Sequence, residues 1–512
     1  MEFNLILERW IPVLRTNGRA ERVGIKSALV EARRILQIAA SNPMDNVALL
    51  RFLLAVLLWC RPDLNEEDHR RLDGAAGVPE EWLVKLREHK ALFNLLGDGA
   101  RFYQDPDLKA AEGPATNLVH ELPSGSSIAH FRHCSDERDG LCHACCAVAL
   151  VRWSVLGSAG TAGAGQSMTA CINGNTPAYG MRLANSLLDT LFQEWPQARG
   201  VHGDRPVWDG ATEISPLGLL KGLTWRTRRI LLRPASAPPD PSGGTGRCEC
   251  CGLRGDRIVY RAVFRPGWRR PSSDPWTDDP HLLRIDGASN KKLIPSWSGP
   301  DKSLEEHAEV WRRTLEGVLS RTSDRGQSRM QVAVGAASVQ ALYKDVGAQS
   351  FTQLPHDEER RSSLQNRLRW LRQVMRDTTS ARTDRWDEPP KGQRIVEVLR
   401  GRKAKGHGLR TALCTVGPEL NRSLRSVFFS VVEAADELGW RCEVERVLRA
   451  GITSVVRASA AGSPLRRREA VMRAQFELER GVRSAAEPSS EAPDEKPAAQ
   501  SKRPRKKKGG GA

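Results

Sequence analysis

The sequence predicts an α+β chain: a large mixed globular domain over residues 1–354, an antiparallel four-helix bundle over 355–483, and a disordered basic tail over 484–512. Three observations carry that division. At 512 residues the chain is longer than one hydrophobic core organises. Strand-like and helical segments alternate through the first two thirds, whereas from about Pro355 the apolar periodicity is helical. Beyond Ser484, "AAEPSSEAPDEKPAAQSKRPRKKKGGGA" is too rich in Pro, Ser and charge to bury a core.

The chain opens on a strand-like "FNLILERWIPVL" with no secretory signal. "ALVEARRILQIAA" and "VALLRFLLAVLLW" have helical apolar spacing, and "PEEWLVKLREHKALFNLL" starts with Pro79 and two acids, a favourable first helical turn. The most apolar stretch, Val47–Cys60, is shorter than a bilayer span and carries Arg51, so it reads as a buried core helix with no membrane role. Residues 105–140 lack periodicity and read as a long loop. Helix "ACCAVALVRWSVL" follows, then the glycine-rich "GSAGTAGAGQS", then "YGMRLANSLLDTLFQEW" as a further helix. "PASAPPDPSGGTGRCECCG" is loop by composition, and Arg257–Trp297 is an irregular β-rich segment. In the C-terminal third, "SLQNRLRWLRQVM" sets Leu364, Leu368, Leu371 and Met375 on one stripe. "SLRSVFFSVVEAADELGW" and "PLRRREAVMRAQFELERGV" repeat the theme between breaks at Pro389-Pro390, Gly406–Gly408 and Gly462–Pro464, which suggests a bundle of about four members.

Charge narrows the partners. Lys and Arg total 78 against 61 Asp and Glu, a net charge of +17. Six of the positive charges lie in the final run "SKRPRKKKGGGA", and the rest of the chain stays basic without them. Such a body suits a polyanion, through phosphate neutralisation and counterion release. The plain alternative is an arginine-rich surface with no such partner.

Two cysteine knots carry the chemistry: "GLCHACC" at Gly140–Cys146 and "GRCECCG" at Gly246–Gly252. Each holds a C-x-x-C pair, Cys142/Cys145 and Cys248/Cys251. Eleven cysteines without an export signal read as reduced thiols or metal ligands in a cytoplasmic protein. A structural zinc needs four ligands, and one tight turn supplies two. Two distant pairs therefore complete one shell and staple the chain between them, making the first domain zinc-stapled. Cys146, Cys250, Cys134, His130, His133 and His143 remain alternative ligands. A deaminase would place H-x-E ahead of P-C-x-x-C, whereas His307–Glu309 and His356–Glu358 follow both pairs and no Pro precedes Cys142. No H-E-x-x-H, Walker loop or G-x-S-x-G is present. The metal reads as structural and the chain as no enzyme.

With these features in place, the chain resembles the CasA family, the large subunit of type I-E CRISPR surveillance complexes (Cascade). The resemblance is carried by "FNLILERWIPV", by Phe131 ahead of Cys142, by "CHAC…AVAL" and the glycine loop after it, and by "NTPAYGMRLANSLL". It continues through "CECCG", the Trp/Pro-rich segment, "VGAASVQALY" and the helical C-terminal third, in order along nearly the whole chain. It implies a subunit that recognises the protospacer-adjacent motif (PAM) in double-stranded DNA from the minor-groove side. It also implies help in opening the duplex for guide RNA pairing, other Cascade subunits as partners, and recruitment of a helicase-nuclease.

Position by position, the family's glycine loop corresponds to Gly157, Gly160, Gly163 and Gly165, where backbone must approach base edges closely; a flexible linker is the plain alternative. The glutamine wedge corresponds to Gln340-Ala341, otherwise a surface glutamine at a helix start. The family's basic finger is a lysine in the strand after the second cysteine pair; here "YRAVFRPGWRRP" offers none, and Arg265, then Arg261, takes its place. Arg284, Lys291 and Lys292 stand where relatives guide the displaced strand, and Phe131, Arg132 and His133 where relatives meet the guide RNA and the neighbouring subunit. A solvated basic loop and a buried anchoring Phe are the plain alternatives. Two other classes compete: a stand-alone zinc-containing nucleic-acid-binding regulator, and a metal-dependent nuclease or deaminase.

Overall fold

The computed structural model describes residues 3–97, 99–109, 111–119, 140–156, 172–173, 177–193, 195, 201–233, 246–255, 257–270, 276–285, 292–293, 304–320, 329–337, 343–351, 358–380, 423–432, 434 and 436–460. Strands β1 (Ile11–Arg15) and β2 (Ala20–Val23), helix α1 (Ile25–Val30) and strand β3 (Ile35–Ile38) open the chain. The three strands form an antiparallel sheet in the order β2-β1-β3. Helical spacing over "ALVEARRILQIAA" is thus a misreading: after α1 and a 3-10 turn at Ala32–Arg34, "ILQI" extends because it can pair with β1, Val13 opposite Ile38. Tertiary pairing overrides a local propensity of a few tenths of a kcal/mol per residue.

Helix α2 (Pro43–Cys60) is the axis of the core. Asn42 caps it by accepting from the Met44 N–H, and Pro43 takes the first turn, where its missing N–H costs nothing. At 18 residues the helix is longer than its apolar run suggested, and it has the length and composition to cross a membrane. It is instead 83% buried inside the protein's own fold. Its residues Leu49, Leu53, Leu54, Val56 and Leu57 are fully enclosed, each worth about 1.5–3 kcal/mol on burial. The rings of Phe52, Trp59, Phe93, Phe102 and Trp208 pack around its C-terminal half in edge-to-face, tilted and stacked pairs.

Beyond it come α3 (Glu66–Arg71), α4 (Val84–Glu88), β4 (Glu112–Pro114), β5 (Leu141–Cys142) and α5 (His143–Arg152), the last as its apolar spacing predicts. Next are β6 (Tyr179–Leu183), α6 (Leu187–Gln193) and α7 (Leu219–Leu223). The helix expected over "YGMRLANSLLDTLFQEW" is therefore half strand. "YGMRL" pairs with β14 (Arg329–Ala337), which pairs in turn with β15 (Tyr343–Phe351), in the order β15-β14-β6. Strand β7 (Arg228–Arg233) pairs with β11 (Arg261–Pro266), which also pairs with β4. The expected β-rich stretch after Arg257 is present as β10 (Ile258–Val259), β11, β12 (Arg284–Ile285) and β13 (Lys292–Leu293).

The described helices after β13 are α8 (Leu304–Ser320), α9 (Glu358–Ser380), α10 (Ser423–Val432) and α11 (Glu437–Ala460). "SLRSVFFSVVEAADELGW" divides between the last two. Leu364, Leu368 and Leu371 are buried as the stripe requires. Trp311 of α8 meets Phe428 of α10 at 5.2 Å, and Trp370 of α9 meets Trp440 of α11 at 5.6 Å. Helix α8, which precedes the boundary expected at 354/355, therefore packs with this helical layer. "PLRRREAVMRAQFELERGV" and the tail lie outside the described residues.

Candidate metal centre and basic face

The first cysteine pair sits where β5 becomes α5. Cys142 ends the strand and takes the N-cap position of the helix, and Cys145 lies in its first turn, so both sulfurs leave from one side. The second pair is on a hairpin whose arms are β8 (Gly246–Arg247) and β9 (Arg254–Gly255). Its turn closes by hydrogen bonds from Cys248 N–H to the Leu253 carbonyl and from Gly252 N–H to the Cys248 carbonyl. Gly252 adopts φ +74, a conformation only glycine enters at little cost.

Two backbone links bring the knots together. Gly140 bridges Cys248 in parallel, with Glu249 N–H donating to the Gly140 carbonyl at 2.9 Å. β10 then lays Ile258 opposite Cys142. Gly140 has to be glycine here, because a Cβ would stand 2.5 Å from Ile258 Cγ2 and 2.7 Å from the Val259 carbonyl oxygen. The result is four sulfurs, Cys142, Cys145, Cys248 and Cys251, all within 4.8 Å of one another. Three of these cysteines are buried and Cys251 is exposed. Every described cysteine is a free thiol.

Four thiols so close cannot all ionise. The neighbouring Cys142 and Cys145 thiols hold the pKa of Cys248 far below the usual value. Cys145 works to lower the Cys142 thiol, but Cys248 and burial outweigh it and push Cys142 up to about 12. The Cys142 and Cys248 sulfurs raise the Cys145 thiol above its usual value as well. A dication supplies the charge that would let all four ionise. The cluster is thus able to hold a metal ion with four sulfur ligands. Cys146 points elsewhere: fully enclosed, its sulfur faces the Leu141 carbonyl. His143 stacks its ring edge against Phe3 at 5.2 Å. Cys134, His130 and His133 lie outside the described residues.

One neighbour escaped the sequence reading. Arg22, on β2, donates from Nη2 to Cys145 Sγ at 3.9 Å. Burial works against its charge, yet the surrounding sulfurs hold its pKa above the usual arginine value.

Of the residues expected to meet DNA, Arg265 and Arg261 lie on β11. The alternating strand turns Ala262 and Phe264 into the main core, while Arg261, Val263 and Arg265 face the other way. Cross-strand from Arg265 is Arg229, bonded to Asp105, and opposite Arg261 is Arg233, paired with Glu112. Between these arginines Leu108, Leu231 and Val263 form a small buried apolar cluster. Arg265 is exposed and makes no ion pair among the described residues. Arg284 is half-buried on β12, with Lys292 on its partner β13. Gly157, Gly160, Gly163, Gly165, Lys291, Phe131, Arg132, His133, Gln340 and Ala341 lie outside the described residues. Gln340 and Ala341 belong to the segment joining β14 to β15, so their neighbours in sequence are strands rather than helix.

Glu309, from one H-x-E match, is committed elsewhere. On α8 it accepts from Arg312 at 2.8 and 3.0 Å and from Arg313 at 2.8 Å. The Arg312 bonds, with Arg313 behind them, lower its carboxyl to about 2. Such a carboxylate is a poor proton shuttle near neutrality.

Sequence reasoning also missed the partner of Arg51. The guanidinium is wholly enclosed, donating to Asp279 at 2.6 Å, to Ser154 Oγ at 3.2 Å and to the Gly222 carbonyl at 3.4 Å. Burial opposes the Asp279 charge, but Arg51 and the His281 hydrogen bonds hold its carboxyl well below the usual range.

A mixed sheet-and-helix chain whose four cysteine sulfurs are gathered where they could hold one metal ion defines a class of large α+β proteins with a candidate four-sulfur centre. Comparison narrows the class. The family model of CRISPR-associated protein Cse1 matches residues 4–340. CRISPR-associated protein CasA/Cse1 of Thermus thermophilus is 31% identical over 384 residues, covering 67% of this chain and 70% of the relative. The chain belongs to the CasA/Cse1 family, the large subunit of type I-E Cascade. Solved structures agree on the fold. Thermus thermophilus CasA superposes with a TM-score of 0.63 at 20% identity, covering 94% of this chain and 99% of that one. Thermobifida fusca Cse1 gives 0.60 at 16%, covering 95% and 98%. A chain of a CRISPR RNA-guided surveillance complex gives 0.58 at 14%, covering 93% and 99%.

Proposed function

We propose that this chain is the non-catalytic DNA-recognition subunit of a cytoplasmic, RNA-guided antiviral complex. It reads the PAM in double-stranded DNA, helps open the duplex for guide RNA pairing, and recruits a helicase-nuclease. The carrying observation is family membership over residues 4–340, joined to a fold shared with a chain of an RNA-guided surveillance complex. Guide RNA and the other subunits are its partners on the same ground. The net charge of +17 and the arginine-framed face of β11 support a phosphate-lined partner. In this reading Arg265 is the basic finger, with Arg261 beside it. The glycines at 157, 160, 163 and 165 approach the bases, and Gln340-Ala341 enters the stack. Arg284, Lys291 and Lys292 guide the displaced strand, and Phe131, Arg132 and His133 meet the guide.

The metal in this reading is zinc. A tetrahedral zinc–thiolate site with bonds of about 2.3 Å sets its sulfurs about 3.8 Å apart. The Cys142 and Cys251 sulfurs stand at 3.7 Å, and no pair of the four exceeds 4.8 Å. Four sulfur ligands leave no open position for water, so the ion would supply cross-linking rather than chemistry.

Duplex capture tests the assignment. In a complex assembled with guide RNA, Arg265→Glu weakens binding of PAM-bearing duplex and lowers the salt dependence by about one phosphate contact. Unchanged capture and salt slope would remove Arg265 from the interface. Tight, sequence-specific binding by the isolated chain would instead favour a stand-alone zinc-containing regulator.

A further inference from the structure

We propose that Arg22 is the charge partner of the four-cysteine centre, so that metal binding there is coupled to the N-terminal sheet. The inference rests on the zinc reading above. A dication on four thiolates keeps a net charge of roughly −2, and three of these sulfurs are buried. Charge of that size in a poorly solvated place requires donors close to the sulfurs. Arg22 supplies a cationic one, with Nη2 donating to Cys145 Sγ at 3.9 Å and Cys251 near enough to act on its charge. The contact is to the first knot, through Cys145, while the Cys251 sulfur of the second also favours its charge.

Nothing else among the described residues claims this guanidinium. Its neighbour Glu21 is bonded to Arg15 at 2.5 Å, and the residue paired with Arg22 across the sheet is Pro12, which carries no charge. No carboxylate among the described residues forms an ion pair with Arg22, which leaves the sulfurs as its anion. The N-terminal segment touches this region at two further points, Phe3 against His143 and Glu8 with Arg257 at 3.8 Å. Of these contacts, that of Arg22 is the one made with a ligand itself. The staple therefore joins three stretches of chain rather than two: the cysteine pair at 142–145, the pair at 248–251, and β2. Zinc raises the negative charge that Arg22 answers and so tightens β2 against the centre; loss of zinc loosens it.

The experiment uses the full chain and zinc itself. Zinc content of the wild type is measured first, then zinc affinity by competition with a chromophoric chelator for wild type, Arg22→Gln and Arg22→Lys. Arg22→Gln should bind zinc about 10-fold or more weakly, the usual size of an outer-ligand effect. Arg22→Lys should recover part of the loss, since charge returns without the planar fork. Chelation of the wild type should speed hydrogen exchange at Ala20–Val23, and Arg22→Gln should show that faster exchange with zinc still bound. Thermal unfolding separates charge from packing: metal-free wild type and Arg22→Gln should melt together, and only the zinc-loaded proteins should differ. An equal deficit in both forms would make Arg22 merely structural, and equal zinc affinity in Arg22→Gln would end the proposal while leaving the zinc reading intact. A wild type that carries no zinc would overturn the zinc reading, and this inference with it.

Discussion

Arg51 and Asp279 show what one residue says alone and what it says in company. A single arginine inside "VALLRFLLAVLLWC" is legible as an anomaly, since a charge in a core helix requires a partner. The partner lies 228 residues away in a stretch of ordinary composition, and no local pattern points to it. Asp279→Asn keeps the shape and removes the charge, leaving Arg51 enclosed without its counter-ion. The expected cost is about 3–5 kcal/mol, read from denaturant unfolding. The pH dependence has a definite sign. The Asp279 carboxyl titrates lower in the folded protein than at its ordinary 3.8, so its contribution is complete above that value and is lost as pH falls below it. The wild-type advantage over Asp279→Asn should thus be constant through neutrality and shrink under acid. A gap that widened on acidification would contradict the assignment. Arg22 illustrates the same limit: in a strand edge it reads as a solvated charge, and only a contact spanning 123 residues gives it a role.

Elements were legible in proportion to how far local chemistry decides them. The two C-x-x-C turns are local chelate geometry, and the fold brings all four sulfurs together as the spacing implies. Helices α2 and α5 follow from apolar spacing because both are enclosed in the core. The strands at Ile35–Ile38 and Tyr179–Leu183 did not follow, since each is extended only because a distant strand is there to pair with it. Glycines in the cysteine region divide the same way, and the division makes a paired prediction. At Gly140 a Cβ meets Ile258 and the Val259 carbonyl, whereas at Gly255, on β9, it meets nothing within 4 Å. Gly140→Ala must push β5 off β10 and carry Cys142 with it, at about 1–3 kcal/mol of overpacking. Gly255→Ala should be close to neutral. Melting temperature and bound metal should therefore both drop in the first variant and hold in the second. Metal retained at full stoichiometry in Gly140→Ala would show that the β5–β10 pairing does not position the sulfurs.

At the scale of the whole molecule, the proposed division between reading the motif and opening the duplex needs a physical link between the β14–β15 hairpin and the C-terminal helices. The fold provides a compact one. Phe351, the last residue of β15, packs edge-on against Phe429 of α10 at 5.8 Å, and Phe428 beside it packs against Trp311 of α8. The segment bearing Gln340 enters at the other end of the same strand. A helical layer able to shift as a body would act on the hairpin through this aromatic joint. Phe429→Ala removes the joint at a cost of about 3–5 kcal/mol, and Phe429→Leu retains most of its volume at less. Leu438, 71% exposed on α11, supplies a control whose truncation removes little packing. In a complete guide-loaded complex, the joint variants should still capture PAM-bearing duplex. They should lose protection of the displaced strand in a footprint, with Phe429→Leu intermediate and Leu438→Ala unchanged. A target opened beforehand should restore stable binding to Phe429→Ala, because the defect lies in opening rather than reading. Full displaced-strand protection in a folded Phe429→Ala complex would show that the helices do not drive the hairpin through this contact.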